Sequence, residues 1–520
     1  MGRKLPQLAK QPLQSHWLQD LPTSDLPPPP PVQREFDVII VGGGISGFST
    51  ALHLSRLQRV TKNRLNIAVL EARDVAGGAT GRNGGLLRPG VEAPFAELCS
   101  KHGRAEALRL FHFERQNAAA ILQFLTERGA EERVGLHRFK VGGVKGLSPS
   151  DDPARLRREA EEWEREGCNT ETFFISEARV GDITGHKSGP AVAHGAAVFP
   201  EYRINAAQLT LEIALAAASE GNVSFFKNCL VDTVHRSQEG GRVFFRLTTS
   251  LGEFFSASVV YATNAWTSAL LPHVSITPVR NQVICTAPST NTFWKEGEFA
   301  MILNGGGEYM SGRGDGRIVL GGLRSLAPEM DVGCDRDDAV NEQVSKALHE
   351  YLPLQFNGFE SIDFSVEREW SGVMGWTRDK SPLVGSLAGL GVCIDKEFIC
   401  AGFCGHGMTR CFLSGCAVAA MVLGLPMLDN FPRSFLPTLG RVAAVSNEFD
   451  FKVDIAAESL DSASTKGRKE ELAPTLSQPA SSQAFHTLPF FLAVILICWW
   501  LFFSIEPFLE IGLAGSLAIR

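Results

Sequence analysis

A short stretch in the C-terminal half of the chain concentrates the side chains most able to do chemistry. Residues 399–416, ICAGFCGHGMTRCFLSGC, contain four cysteines and one histidine. Cys404-x-His406 is half of a Rieske-type pair, but no C-x-x-H follows it, and the cysteines lack the C-x-x-C-H spacing that attaches haem. Zinc would need four converging ligands. We therefore predict no metal site here.

The cysteines of this stretch are instead predicted to be packing groups. On a helix beginning at about Met408, Cys411 and Cys416 would project in different directions, and Cys400 would end a buried strand. Small buried apolar side chains are the favoured role for these three. Cys404 would lie in a turn, where we predict a neutral thiol and keep redox sensitivity as an alternative.

The glycines of the same stretch predict a turn that faces an anion. Gly405 and Gly407 would open a long apolar helix, whose first N–H groups have no partner within the helix. The positive end of the helix dipole also favours negative charge. His406 lies between the glycines, either as a donor or proton carrier for a ligand or as a turn residue satisfied by backbone.

A second motif, FDVIIVGGGISGFSTALHLSRL, lies near the start of the folded body. Residues 38–41 are typical of a buried parallel strand, and Gly42-x-Gly44-x-x-Gly47 leads from it into a helix. In such a motif the glycines permit a tight turn, a close approach to a pyrophosphate and the packing of helix on strand. The helix N-terminus supplies free N–H groups for phosphates. The pattern predicts a dinucleotide site.

The residues that follow favour FAD over NAD. A second strand, NIAVLEAR, ends in Glu71, 24 residues after Gly47, where a carboxylate can accept both ribose hydroxyls and would repel a 2′-phosphate. Six glycines then fall within residues 77–90, so that backbone can approach a large flat ligand. Arg73 and Arg82 could neutralise phosphate charge. A second G-x-G-x-x-G after a strand is missing, which weighs against a two-nucleotide reductase.

Composition sets broader limits on the class of protein. The 520 residues are 44% hydrophobic and 21% charged, which is typical of a folded protein, and the net charge of −7 argues against nucleic-acid binding. Eleven cysteines make an incomplete disulfide framework, and the start of the chain, MGRKLPQLAK, has no apolar signal core. We expect an intracellular, cytoplasmic body with reduced thiols.

Both ends of the chain are predicted to lie outside this body. Residues 1–33 end in a run of prolines and are expected to form a disordered, extended arm. We favour a simple leader as the role of this arm over a docking motif for a partner. Residues 441–487 are expected to be a linker. Residues 488–505 carry no charge over eighteen positions and predict a transmembrane tail anchor, with a packed hydrophobic tail as the alternative.

The segments VIIVGGGISG, LEAR and GATGRNGG together resemble the FAD-dependent D-amino-acid-oxidase-like superfamily, in particular its gamma-glutamylputrescine-oxidase and sarcosine-oxidase type of amine oxidase. The likeness spans about residues 34–435. It implies an α/β fold in which a Rossmann-type FAD-binding domain is interleaved with an α+β substrate domain on an antiparallel sheet. The FAD domain would comprise residues 34–95, 200–270 and 365–440, and the substrate domain residues 96–199 and 271–364.

The resemblance also implies cofactor contacts, which are Gly42, Gly44, Ile45, Ser46, Gly47, Glu71, Ala72, Arg73, Ala79, Thr80, Arg82, Asn83, Gly84, Gly85, Val231, Asn264, Gly402, Gly405, His406, Gly407 and Met408. His406 would lie at one edge of the flavin ring as a catalytic residue, with Arg82 and Asn83 at the opposite edge. Arg88, Tyr309 and Trp376 are candidate substrate contacts by position.

The implied reaction is oxidation of the C–N bond of a small-molecule amine or amino acid by hydride transfer to FAD, with O₂ or another acceptor as oxidant. Some relatives attach FAD through a Cys at the position of Gly372 or a His in the glycine-rich loop, so non-covalent FAD is predicted here. Sarcosine-oxidase relatives carry K-x-G-x-H where residues 319–323 read VLGGL, which makes sarcosine doubtful as substrate. Two alternatives stay open: a flavoprotein acting on a larger secondary-metabolite amine at a membrane, and a redox-inactive FAD-stabilised binding protein.

Overall fold

The computed structural model describes residues 5–29, 33–61, 64–88, 94–239, 242–291, 293–294, 297–359, 365–388, 390 and 396–442. The chain divides into two units, Met1–Ser459 and Leu460–Arg520, and every described residue belongs to the first. The predicted transmembrane segment 488–505 and all but the first two residues of the predicted linker 441–487 lie outside the described residues. Among the residues that are described, no helix combines the length and the apolar composition needed to cross a bilayer.

The described part of this unit contains both strands and helices. Strands β1 to β19 are, in chain order, Glu35–Val41, Ile67–Leu70, Leu86–Leu87, His137–Arg138, Gly142–Gly146, Phe173–Ile175, Ala196–Phe199, Tyr202–Arg203, Val223–Phe226, Val231–Glu239, Arg242–Thr249, Gly252–Tyr261, Thr277–Thr286, Phe299–Leu303, Glu308–Gly312, Ile318–Gly322, Val366–Trp376, Leu383–Ser386 and Glu397–Ala401. Helices α1 to α10 are Ile45–Thr61, Phe95–His102, Arg104–Arg128, Pro153–Arg165, Glu177–Thr184, Ala206–Ser219, Thr267–Leu270, Glu342–Gln355, Cys411–Val422 and Leu439–Val442.

The first sheet has the predicted Rossmann-type core. Strands β9, β2, β1 and β12 lie side by side and parallel, and β19 pairs in parallel with the second half of β12. Strands β10 and β11 extend the sheet in antiparallel fashion. Helices α1, α6 and α9 pack together on this layer. Parallel strands covered on both faces must be apolar throughout, which explains the unbroken apolar runs at 38–41 and 67–70.

The second sheet has the strand order β17-β13-β16-β15-β14-β5-β7-β6, and all its pairs are antiparallel except β5 with β14. One face packs on α8 through Val344, Leu348 and Leu352. Strand β17 was expected within the FAD-binding segment 365–440, but it pairs with β13 along its full length. Its partner lies about 90 residues earlier in the sequence, so the local pattern could not show which sheet the strand joins.

The prediction of a disordered N-terminal arm is wrong for residues 5–29. Trp17 is only 1% exposed and Leu26 is also buried. A 3₁₀ turn, His16–Leu18, is capped by Ser15, whose hydroxyl accepts the N–H of Leu18. Prolines do prevent regular structure here, but they do not prevent an irregular segment from packing through a few large apolar side chains.

Candidate active site

The first glycine motif joins β1 to α1 in the predicted way. Gly42 has a φ of +115°, and a Cβ atom there would lie 2.5 Å from the carbonyl oxygen of Ala262 on the neighbouring strand. A Cβ on Gly47 would overlap the carbonyl oxygen of Gly42, so that helix and turn approach more closely than any larger residue allows. The turn therefore opens toward the carboxyl ends of the parallel strands, where nucleotides bind in such sheets.

Glu71 lies beside this turn at the end of β2. One carboxylate oxygen accepts the N–H of Gly43 at 2.6 Å and the other accepts the N–H of Arg73 at 2.9 Å. Burial raises the pKa of Glu71, while these backbone hydrogen bonds oppose the rise. The carboxylate is thereby held rigidly where the ribose of a dinucleotide would lie, and the site fits the adenosine half of FAD.

The glycine loop, residues 77–85, lines the same space as Arg73, and the guanidinium groups of Arg73 and Arg82 are both held by protein acceptors. Arg73 forms a bidentate pair with Asp337 at 2.7 and 2.8 Å. Arg82 donates to the carbonyl oxygens of Leu13 and Ser371 at 2.7 and 3.1 Å, and burial lowers its pKa to about 10. Both guanidinium groups bind protein acceptors, so backbone N–H groups and the helix α1 N-terminus remain as the phosphate donors.

The C-terminal turn is formed as predicted, but the helix after it begins later. Gly405 has a φ of +84°, and the Nδ1 atom of His406 lies 3.0 Å from the carbonyl oxygen of Cys404. Helix α9 begins at Cys411 rather than at about Met408. The N–H of Leu413 is already bound by the side chain of Asn117 at 2.9 Å. Within the turn, the N–H groups of Cys404 and His406 donate to the carbonyl oxygens of Gly375 and Phe403, both at 2.9 Å.

The thiols of this stretch are buried, as predicted. The sulfur of Cys404 lies 3.4 Å from both the N–H and the hydroxyl of Thr377, and burial raises its pKa. Cys400, Cys411 and Cys416 are buried in apolar surroundings. Within the described part of the chain, no three His, Cys, Asp or Glu side chains are grouped so that they could hold a metal ion.

One cavity of about 1180 Å³ joins these features. Of the predicted cofactor residues, all except Gly47, Gly85 and Gly402 line it. Those three lie behind the wall and shape it. Val231 lies at the start of β10, and Asn264 accepts the N–H groups of Gly402 and Phe403 through its side-chain oxygen. The structure thus brings almost the whole predicted set to one place.

The same cavity continues over the second sheet, where it meets the predicted substrate residues. The ring of Tyr309 packs against Gly84 of the glycine loop, and burial raises its pKa to about 12. Arg88 is paired with the buried Glu201 at 2.8 Å. Trp376 also lines the cavity, and the guanidinium of Arg324 lies 5.7 Å from the centre of a ring of this tryptophan.

Sequence reasoning missed Arg324 and Asn281 at this end. The amide nitrogen of Asn281 donates to the hydroxyl of Tyr309 at 3.3 Å, and its amide oxygen is buried with no hydrogen-bond partner in the described part of the chain. Burial lowers the pKa of Arg324. The available signal for Arg324 was its position two residues after the pair Gly321–Gly322. This signal does not indicate a site by itself, because an arginine in a loop is ordinarily solvated.

The family model described as DAO, FAD dependent oxidoreductase, matches residues 37–421. The chain therefore belongs to this family of FAD-dependent oxidoreductases, and the predicted resemblance and cofactor are confirmed.

Known relatives are distant in sequence but cover the same region. The beta subunit of sarcosine oxidase from Rhizobium meliloti is 26% identical over 78% of this chain and 91% of its own. Gamma-glutamylputrescine oxidoreductase of Escherichia coli is 22% identical over 75% of this chain and 84% of its own. Glycine oxidase of Geobacillus kaustophilus superposes with a TM-score of 0.62 at 19% identity, covering 78% of this chain and 99% of that one. That structural likeness shows the fold.

Proposed function

We propose that the protein oxidises the C–N bond of an amine or amino acid, with a non-covalently bound FAD. When bound, FAD accepts the hydride, and O₂ or another acceptor reoxidises it. The observation that carries this proposal is the continuity of the cavity from Gly42 and Glu71 to Tyr309 and Arg324. A small molecule at the second sheet would share one water-poor space with the cofactor.

The polar groups at the substrate end suit a molecule with adjacent acceptor and donor groups. The hydroxyl of Tyr309 receives the amide N–H of Asn281, so its own proton is available for a substrate oxygen. The oxygen of Asn281 can accept an amine N–H. The cation of Arg324 favours an anionic substituent. An amine that carries a carboxylate meets all three, so we favour an amino acid over a simple amine.

Two residues named from the sequence keep proposed roles at the ring. His406 lies in the C-terminal turn and Asn83 lies in the glycine loop, and both residues line the cavity. We propose that His406 contacts the edge of the flavin ring, with its Nδ1 atom 3.0 Å from the carbonyl oxygen of Cys404. The apolar segment 488–505 supports a membrane location for the enzyme, and this part of the proposal rests on sequence alone.

Anaerobic reduction of the purified yellow protein tests the function. A panel of amines, neutral amino acids and N-alkyl amino acids is added in turn, and the visible absorbance of the oxidised flavin is followed. We expect bleaching by compounds that carry a carboxylate next to the amine. Bleaching by no compound would favour the redox-inactive binding protein and would overturn the proposal.

A matched pair of variants tests the residues. Arg324→Met should raise the apparent Kd for carboxylated amines by about tenfold or more, because it removes a partly desolvated cation. Arg246→Met, which removes an arginine on the surface strand β11, is the control and should change the apparent Kd by less than about twofold. Equal effects in the two variants would contradict the assignment of Arg324.

A further inference from the structure

The N-terminal segment lies outside the region that matches the family, yet it is bound to the cofactor site. We call residues 5–29 the strap. The hydroxyl of Ser15 donates to the carbonyl oxygen of Gly81, and the indole N–H of Trp17 donates to the carbonyl oxygen of Asn83. The carbonyl oxygen of Leu13 accepts from Arg82 at 2.7 Å. Three consecutive odd-numbered strap residues therefore each bind the glycine loop.

A buried carboxylate ties the strap and the loop together. Asp337 is fully buried and holds Arg73 through both carboxylate oxygens, with Arg82 at 3.5 Å. The backbone carbonyl of Asp337 accepts the N–H of Leu13 at 2.8 Å, and Arg73 donates to the carbonyl of Ala9 at 3.1 Å. A charge held in this way resists displacement, because removing one partner leaves the others buried and unpaired.

Two glycines of the loop make room for the strap. A Cβ atom on Gly81 would lie 2.7 Å from the side chain of Leu18, and one on Gly85 would lie 2.8 Å from the ring of Trp17. Part of the glycine excess thus serves the packing of the strap, and not only the approach of backbone to a ligand.

The start of the strap forms part of the cavity wall. Pro6, Gln7 and Leu8 line the cavity beside Arg73 and Trp266. The indole N–H of Trp266 donates to the carbonyl oxygen of Gln7 at 3.3 Å. This wall lies at the same end of the cavity as Glu71, which is the end that fits the adenosine half.

We propose that the strap is a part of the cofactor site, which positions the glycine loop and closes the cavity wall, so that retention of FAD depends on it. Trp17 and Asp337 are its positioning residues. The proposal goes beyond the oxidation of a particular substrate, since it concerns how the cofactor is held. Its test uses no amine and is therefore independent of the proposed reaction.

The test compares two tryptophans in the full-length holoprotein. Trp17→Phe keeps an aromatic ring but removes the N–H that binds Asn83. Trp294→Phe is the matched control, because Trp294 is equally buried and its indole nitrogen has no hydrogen-bond partner among the residues that the structure describes. The rate of FAD release is measured by the recovery of flavin fluorescence after dilution. We expect Trp17→Phe to release FAD about fivefold faster or more, and Trp294→Phe to change the rate by less than about twofold.

A second pair of measurements separates positioning from general stability. The melting temperatures of apoprotein and holoprotein are compared for each variant, and Asp337→Asn is added in case Trp17→Phe folds poorly. A strap variant should reduce the stabilisation that FAD confers, whereas the control should lower both temperatures equally. The proposal would be overturned if Trp17→Phe and Asp337→Asn both had the release rate and the FAD-linked stabilisation of the wild type.

Discussion

Glu71 shows how one side chain can connect burial, protonation and cofactor affinity. Its carboxylate is buried and its pKa is raised, so in the apoprotein the protonated form is favoured more than in the unfolded chain. The folded state therefore binds the proton more tightly, and the contribution of Glu71 to apoprotein stability falls as pH rises from about 4.5 through the raised pKa. Ribose hydroxyls that donate to the carboxylate would favour its ionised form.

The affinity for FAD should accordingly rise with pH across the same window, since binding selects the ionised carboxylate. We expect Kd in wild type to fall as pH rises above about 4.5, the ordinary pKa of a glutamate, and through the raised pKa of Glu71. In Glu71→Gln we expect binding to be weaker and nearly independent of pH. Quenching of flavin fluorescence during titration of the apoprotein measures both. An identical pH profile in wild type and Glu71→Gln would contradict the role given to Glu71.

The buried thiols should be chemically silent. Burial raises the pKa of Cys400, Cys404 and Cys411, so little thiolate forms at neutral pH. Native protein treated with iodoacetamide and mapped by mass spectrometry should show these cysteines unmodified, with the half-buried Cys99 as the labelled control. Cys404→Ser should retain FAD and turnover. Loss of both would mean that the thiol contacts the reaction.

We also expect the flavin ring of FAD to have no covalent bond to the protein. Gly372, at the position where some relatives attach FAD, packs against the side chain of Arg82 and offers no nucleophile. After acid precipitation the flavin should stay in the supernatant. Flavin that remains in the pellet would show a covalent bond.

Among the structural elements, we expect the β1–α1 turn to be the least tolerant of substitution. A methyl group on Gly47 would overlap the carbonyl of Gly42 and push the helix from the sheet. Gly47→Ala should therefore cost about 3 kcal/mol or more of stability and abolish FAD retention. Gly440→Ala, in α10, should be close to wild type, because no atom of the described residues lies within 4 Å of a Cβ at this position. The melting temperature and the bound flavin per chain measure both variants.

The secondary-structure elements also show which parts of the fold the sequence patterns were sufficient to predict. Apolar runs and glycine spacing located β1, α1 and β2, because this strand–turn–helix–strand unit is continuous over residues 35–70 and its pattern lies in its own residues. The sequence did not predict the sheet that β17 joins, because its partner β13 is distant in the chain, and it placed the start of α9 three residues too early.

At the scale of the whole molecule, the C-terminal segment is open to a direct test. Residues 484–520 fused to a soluble reporter should fractionate with membranes, because eighteen uncharged residues approach the thickness of a bilayer core. The same fusion with two lysines in place of Val494 and Ile495 should lose this location. A wild-type fusion that stays entirely soluble would remove the tail anchor from the proposal.

The sequence by itself predicted the dinucleotide motif, the cofactor and most of the residues that line the cavity. It could do so because the spacing of the glycines and the position of one acidic residue reflect local requirements of backbone conformation and charge. Only the tertiary structure decided that Arg73 and Arg82 bind Asp337, that Arg324 and Asn281 line the cavity with Tyr309, and that residues 5–29 pack on the glycine loop. These depend on contacts between segments distant in the chain. Such contacts leave no periodic pattern, since each is made by one or two side chains whose partners are fixed only when the layers pack.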